Sequence, residues 1–378
     1  MFYRETRRKK VSTTDIPGQL HSDITGMFRD TIKITKFEPA KLLFLLRLLF
    51  RQRSAFRRRQ AAMNRGIEMP AFMIISVTNR CNLNCAGCYS KGHKRDPGKE
   101  LTTEELKNLL TEAVNLGVSV VILAGGEPFT RKDLLDVTGS FPELLFAVFT
   151  NGMLLTDDHL KQIRKQKNLI PVFSIEGDTE DTDTRRGDGV HRRVLELFDR
   201  ARKLRLFYGA SFTVTSQNFS RVTDTAFLDR ISETGCRVVF FVEYVPIQEE
   251  TEHLLLTEPE RFSLSLLCKT LSRKNRSLYY AFPGDEERFG GCLAAGRGFI
   301  HVSADGSLEP CPLAPFSDTN IKNGGLEKAL RSGFLRIIRD EHHMLKETAG
   351  GCALWANREW TRRALNQAEQ DRTEPVKG

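Results

Sequence analysis

A chain of 378 residues with 40% hydrophobic and 28% charged side chains can bury a large core, which excludes the disordered and fibrous classes. Eight cysteines are too few for a disulfide scaffold at this length, and their grouping points to metal ligation in a reducing compartment, read as the cytosol. The net charge of +9 is unevenly placed: residues 1–69 hold 16 Lys/Arg against 6 Asp/Glu, a net of +10, and the remainder holds 41 against 42. That asymmetry points to an anionic partner at the N-terminal end.

Residues 1–69 read as a basic arm followed by an amphipathic helix. The first 39 residues are polar and mixed, broken at Pro17-Gly18, and are expected to form a loosely packed arm. Arg4 to Lys10 are not followed by an apolar core and a small-residue cleavage site, so no secretory signal is expected. From Ala40 the run KLLFLLRLLFRQRSAFRRRQ reads as a helix. Arg47, Arg51, Ser54 and Arg58 share a narrow stripe, leaving Leu42, Leu43, Leu45, Leu46, Leu49 and Phe50 on a broad apolar surface. One reading lays this helix on an anionic membrane surface, with its arginines at headgroup level. The other packs it on the catalytic domain. Nucleic acid is disfavoured, because the arginines lack interleaved aromatic side chains. The apolar window Leu42 to Phe50 is too short to span a bilayer.

From residue 70 the pattern changes to short apolar runs alternating with amphipathic helices, the signature of parallel β/α units. Strands are predicted near 72–78, 119–124, 145–149, 170–175, 208–215 and 238–245. The clearest helix is 103–116, where Thr102 and Glu105 form a capping box. Six such units predict an α/β fold, an open (β/α)6 partial TIM-like barrel over residues 70–250, with its chemistry at the C-terminal ends of the strands.

Unusual residues fall at those ends. Strand one runs into Cys81, Cys85 and Cys88, a C-x3-C-x2-C loop able to bring three thiolates to one small inorganic group. Soft thiolates select iron-sulfur clusters or zinc. Strand two ends in Gly125-Gly126-Glu127-Pro128, where the glycines allow close backbone approach to a ligand, and strand three in Thr150-Asn151-Gly152. Ser174 and Glu176 alternate on strand four and so face one side of the sheet. Strand five ends near Thr213, Thr215 and Asn218, and strand six in Tyr244-Val245-Pro246.

These motifs resemble the radical S-adenosylmethionine (SAM) superfamily. The resemblance implies a [4Fe-4S] cluster on Cys81, Cys85 and Cys88, with SAM on the open iron and a flavodoxin or ferredoxin as electron donor. It implies that the amine of SAM meets the Gly125-Gly126-Glu127-Pro128 turn, with Asn151 beside it, and that the ribose meets Ser174 and Glu176. The carboxylate would meet Arg186, in a D-x-x-R-G stretch that also reads as an exposed charged turn. Adenine would meet the strand-five and strand-six residues Thr215, Tyr244 and Val245. The implied chemistry is reductive cleavage to a 5′-deoxyadenosyl radical and hydrogen abstraction from an unidentified substrate, with catalytic acid or base unassigned.

Residues 251–355 carry Cys292, Cys311 and Cys352. The Gly306-x4-Cys311 spacing and the Asp305-Gly306 hairpin turn between the first two resemble SPASM/twitch domains, which hold auxiliary [4Fe-4S] clusters. Further closely spaced cysteines of a full SPASM domain are missing, so a single cluster is expected, its fourth ligand open between Cys268, a carboxylate or histidine, and substrate. Zinc is the alternative. Asp285, Glu286 and Asp305 are candidate acid-base groups, and Cys236 reads as core. Residues 356–378 read as a polar tail. The competing functions are a radical SAM oxidoreductase with a membrane-associated substrate, a peptide- or protein-modifying maturase, and a non-catalytic iron-sulfur sensor or scaffold.

Overall fold

The computed structural model describes residues 16–34, 39–271, 277–284, 286–345 and 352–373. Asp285 and the glycines at 350 and 351 lie outside them, as do the side chains of Leu42, Leu43 and Leu45. The six predicted strands are present as β1 (Phe72–Thr78), β2 (Val120–Gly125), β3 (Leu145–Thr150), β4 (Leu169–Ser174), β5 (Gly209–Val214) and β6 (Val238–Glu243). Three more join the same sheet: β7 (Leu278–Phe282), β8 (Phe299–Val302) and β9 (Leu308–Glu309). The order is β7-β6-β5-β4-β3-β2-β1-β8-β9, an open sheet parallel throughout except for the antiparallel β8/β9 hairpin. These strands read as continuous apolar runs because helices cover the parallel sheet.

Two features extend the expected six-unit barrel. The helix Glu258–Leu271 and β7 add a seventh β/α unit, so the sheet continues past residue 250. On the opposite edge, β8 pairs in parallel with β1, Phe72 opposite Phe299 and Ile75 opposite Val302, and carries the C-terminal hairpin into the main sheet. The capping box is present: the Thr102 hydroxyl accepts from Glu105 N (3.2 Å) and the Glu105 carboxylate accepts from Thr102 N (2.8 Å).

The described part of the N-terminal segment departs from the expected loose arm, whereas residues 1–15, with the basic cluster Arg4 to Lys10, lie outside the described residues. The described part forms two helices, α1 (Ile16–Ile34) and α2 (Pro39–Met63). Pro17-Gly18 does not break α1, because proline is tolerated in a first turn where its missing N–H has no partner to lose. The buried stripe of α2 is Leu48, Gln52, Ala55, Arg59 and Ala62, at helical spacing. Leu48 and Ile24 pack with Ala71, Val120 and Leu145, and Met27 of α1 packs with Val238 and Leu278. All five barrel residues stand at the N-terminal ends of strands, so the helix pair floors the barrel on the side away from the cysteine loop. Arg59 is buried and donates to the Gly117 carbonyl; burial and then Arg58 lower its pKa to about 10, leaving it charged at neutral pH. Gly117, left-handed at φ 95°, receives the α2 backbone at Ala55 O, where a Cβ would collide. Among the described residues no helix is long and apolar enough to cross a membrane.

The polar tail is also partly helical. Arg358–Thr373 packs on the helix Gly333–Asp340 and buries Thr361, Ala364 and Ala368. Small residues at spacings of three and four form its inner face, which overall polarity conceals.

Candidate active site at the strand ends

The cysteine loop leaves β1 under tight backbone control. Glu100 Oε1 accepts from Thr78 Oγ1 (2.9 Å) and from Asn79 N (2.7 Å). Gly126 N donates to Thr78 O (2.7 Å) and Glu127 N to Arg80 O (2.8 Å), joining the strand-two turn to the start of the loop. A Cβ at Gly125 would strike the Thr78 carbonyl and one at Gly126 the Arg80 carbonyl. The close approach that requires these glycines is therefore backbone on backbone. The Glu127 carboxylate is buried and accepts from Thr150 Oγ1 (2.7 Å), Asn151 N (2.8 Å) and Phe129 N (3.1 Å), clamping the ends of β2 and β3. Burial pushes its pKa up, and these three donors pull against that rise. Asn151 reaches back to Asn82 Oδ1 (2.9 Å) and to Cys81 Sγ (3.9 Å), where Leu83 N also donates (3.5 Å).

The opposite wall is built on charge. Glu176, 1% exposed, accepts at Oε1 from Arg185 Nη1 (2.6 Å) and Arg186 Nε (2.7 Å), and at Oε2 from Thr213 N (2.9 Å). Its expected direct use toward ribose hydroxyls is thus taken up by the two guanidiniums, while Ser174 is half-buried at the strand end. Burial opposes the charge on Arg186, but Glu176 and the thiols of Cys85 and Cys88 raise its pKa. One carboxylate against two guanidiniums leaves net positive charge beside a cavity of about 580 Å3 lined by Cys85, Arg185, Arg186 and Gln248, among others. Thr215 and Asn218 support this wall from inside: Asn218 Oδ1 accepts from Thr215 N (2.8 Å), and Asn218 Nδ2 donates to the Glu176 carbonyl (2.8 Å). Ala86 N donates to Arg185 O (2.9 Å), tying the cysteine loop to it.

Cys81, Cys85 and Cys88 are each half-buried on this loop. Burial raises the Cys81 pKa, the largest contribution to its shift. Three soft donors on one loop, beside a positively charged cavity, fit a cluster with an amino-acid-bearing ligand on its open corner. Tyr244 and Val245, both buried, close the site from β6.

The second triad lies on the C-terminal segment. The β8/β9 turn at Gly306 (φ 92°) brings the two flanking stretches together, and Ala295 N donates to Pro310 O (3.1 Å) between them. Cys292, Cys311 and Cys352 are all buried. Cys311 and Cys352 influence each other's ionisation, as Cys352 and Glu286 influence that of Cys292, and burial drives the Cys292 pKa up. Asp305 serves the turn itself, accepting from Ser307 N (3.1 Å). Among the described residues no three His, Cys, Asp or Glu side chains converge tightly enough to hold one metal ion. A cubane offers separate iron corners, so its thiolates need not meet at one point. Cys236 is core, its pKa raised by burial to about 12, and Cys268 is buried on the helix Glu258–Leu271.

Comparison with known proteins points the same way as the cysteine loop. The model of the Radical SAM superfamily matches residues 75–241. Those residues, from within β1 through most of β6, therefore carry a match to the radical SAM domain. A [4Fe-4S] cluster with SAM is the cofactor of that superfamily, and its members are enzymes. The AdoMet-dependent heme synthase of Methanosarcina barkeri is 27% identical over 310 residues, covering 75% of this chain and 88% of that one. The PqqA peptide cyclase of Bradyrhizobium diazoefficiens is 31% identical over 160 residues, 41% of this chain and 42% of its own length. In fold, the chain is similar to Streptococcus suis SuiB bound to S-adenosylmethionine, with TM-score 0.59 and 16% identity over 81% of this chain and 74% of that one. It is likewise similar to anSMEcpe with bound AdoMet, with TM-score 0.58 and 16% identity over 80% and 96% of the two chains.

Several site residues escape sequence reasoning. His301, 1% exposed, bonds Ser76 Oγ through Nε2 (2.8 Å) and Glu309 Oε2 through Nδ1 (2.8 Å), and Arg95 donates to the same carboxylate (2.7 Å). This chain of polar groups joins β1 to the hairpin that precedes Cys311. Its signal was a lone histidine in the apolar run Phe299–Val302, meaningful only once β8 is known to lie beside β1. Arg185 and Glu100 were hidden among other charged residues.

Proposed function

We propose that Cys81, Cys85 and Cys88 hold the [4Fe-4S] cluster, and that the cavity beside Cys85 binds SAM for reductive cleavage. The observation that carries this reading is the thiol loop facing a pocket with two guanidiniums and a single carboxylate. Held by Cys81, Cys85 and Cys88, the cluster would supply the one-electron reduction that cleaves SAM to methionine and the radical used for hydrogen abstraction from substrate. The chain's residues bind and orient. Arg186, aimed by Glu176, meets the SAM carboxylate. The Gly125–Pro128 turn receives the amine, Ser174 the ribose, and Thr215, Tyr244 and Val245 the adenine side. Cys292, Cys311 and Cys352 hold a second [4Fe-4S] cluster, with zinc as the competing occupant. Tyr89, next to Cys88 in the chain, feels the charges of both Cys88 and Cys311, which favours electron exchange between the two triads. A flavodoxin or ferredoxin supplies the electron.

The test is 5′-deoxyadenosine formation by anaerobically reconstituted protein with SAM and dithionite. Wild type turns over and Cys81→Ala does not; equal output from both sinks the proposal.

A lipid surface remains a second reading for α2, favoured by one observation. Phe50 is 69% and Leu46 41% exposed, on the helix that also exposes Arg47, Arg53 and Arg57. This face is distinct from the buried stripe, so the helix can floor the barrel and still touch anionic lipid. A peptide substrate, which the peptide cyclase makes a natural comparison, would be recognised by the C-terminal segment, because residues 16–34 and 39–63 lie under the barrel floor.

A further inference from the structure

The middle of the cysteine loop carries a steric feature that the cofactor reading leaves unused. Gly87, between Cys85 and Cys88, adopts a left-handed φ of 65°. Its missing side chain leaves a slot, and the slot is filled from across the site: a Cβ there would lie 2.5 Å from the Tyr244 hydroxyl oxygen and 2.7 Å from the ring. Tyr244 is 2% exposed and held by its own backbone, its N–H donating to Val214 O (3.0 Å). Yet its buried hydroxyl has no hydrogen-bond partner among the described residues. Burying a phenol O–H without a partner is destabilising, so a protein that places one against its thiol loop invites an acceptor there. Protein donors already approach one sulfur of this loop, Leu83 N and Asn151 Nδ2 at Cys81, and among the described residues Tyr244 is the unpaired donor on the Gly87 side.

We propose that Tyr244 donates its phenolic hydrogen bond to the sulfur of the cluster held by Cys81, Cys85 and Cys88, and so tunes the potential of that cluster. The proposal rests on that triad holding the cluster, and it gives Tyr244 a role additional to shaping the adenine side. Hydrogen bonds to cluster sulfur stabilise the more negative, reduced state and raise the potential. Gly87 is the complementary half of the device, since any side chain at this position would displace the phenol. Tyr244 is therefore a positioning residue for the electron, acting before substrate is involved.

The experiment is an EPR-monitored redox titration, without SAM, of reconstituted wild type and Tyr244→Phe, following the signal that later responds to added SAM. The expected result is full iron content in both and about a tenfold loss in the reduction equilibrium of the variant, a shift of about 59 mV to lower potential for one electron. Should Tyr244→Phe fail to hold iron, 3,5-difluorotyrosine at position 244 keeps the shape and strengthens the donor, and the potential then rises. An unchanged potential in either replacement overturns the inference while leaving the cluster reading intact. Wild type that takes up no iron, or whose iron is insensitive to Cys81→Ala, overturns both.

Discussion

Single charged groups govern the exits of the strands. Glu176 pairs with two largely buried guanidiniums, and Glu176→Gln leaves both uncompensated. The expected cost is roughly 3–5 kcal/mol in unfolding free energy, together with weaker SAM binding as the arginines lose their aim. Denaturant titration and calorimetric SAM titration of the same samples measure the two effects. Beneath the cysteine loop, Arg131 donates to Val77 O (3.2 Å) and Leu101 O (2.8 Å) while paired with Asp133 (2.8 Å). Hydrogen bonding from Arg131 is the largest cause that lowers the Asp133 pKa from 3.8 to about 2. A depressed carboxylate stabilises the fold above its unfolded pKa and loses that contribution as pH falls through the folded value. The stability difference between wild type and Asp133→Asn should accordingly be full above about pH 4 and shrink toward pH 2. A difference that is flat from pH 6 to 2.5, read by chemical denaturation, would contradict the pairing.

At the scale of elements, α2 is first a floor and only second a surface. Leu48→Ala, at a 2% exposed position under the barrel, should cost roughly 2–5 kcal/mol. Gly117→Ala should cost about 1–3 kcal/mol through its left-handed backbone and the collision with α2. By contrast, Phe50→Glu with Arg53→Glu and Arg57→Glu should leave the unfolding midpoint within about 0.5 kcal/mol, and abolish flotation with anionic liposomes at low salt. Unaltered flotation removes the lipid reading. This division was not legible in the sequence. The run from Leu42 to Phe50 is apolar all round, so periodicity could not decide which stripe faces inward, and the buried Arg59 was indistinguishable from its solvated neighbours. The strands were legible because parallel strands covered on both faces are uninterrupted apolar runs bounded by glycine and polar residues. β7 and β8 were not read as part of the sheet, because their pairing joins distant segments and leaves no local signature.

For the whole molecule, the parallel pairing of β8 with β1 is what sets the second triad beside the first. β9 returns antiparallel to β8, and the stretch that leads from it through Cys311 is tied to the segment after the cysteine loop by Arg95 on Glu309 (2.7 Å) and His93 Nε2 on Pro312 O (3.0 Å). Both triads were visible in the sequence as cysteine spacings, whereas their adjacency and the Ser76–His301–Glu309–Arg95 connection required the fold. His301→Ala should strand the buried Glu309 and Ser76 and loosen the hairpin, lowering iron retention at the second triad before the first.

Iron and sulfide content of anaerobically purified protein tests the two-triad arrangement most directly. Wild type should hold about eight of each, and both the Cys292→Ala/Cys311→Ala and the Cys81→Ala/Cys85→Ala variants about four. About four in wild type, unaltered by the Cys292→Ala/Cys311→Ala change, would contradict it.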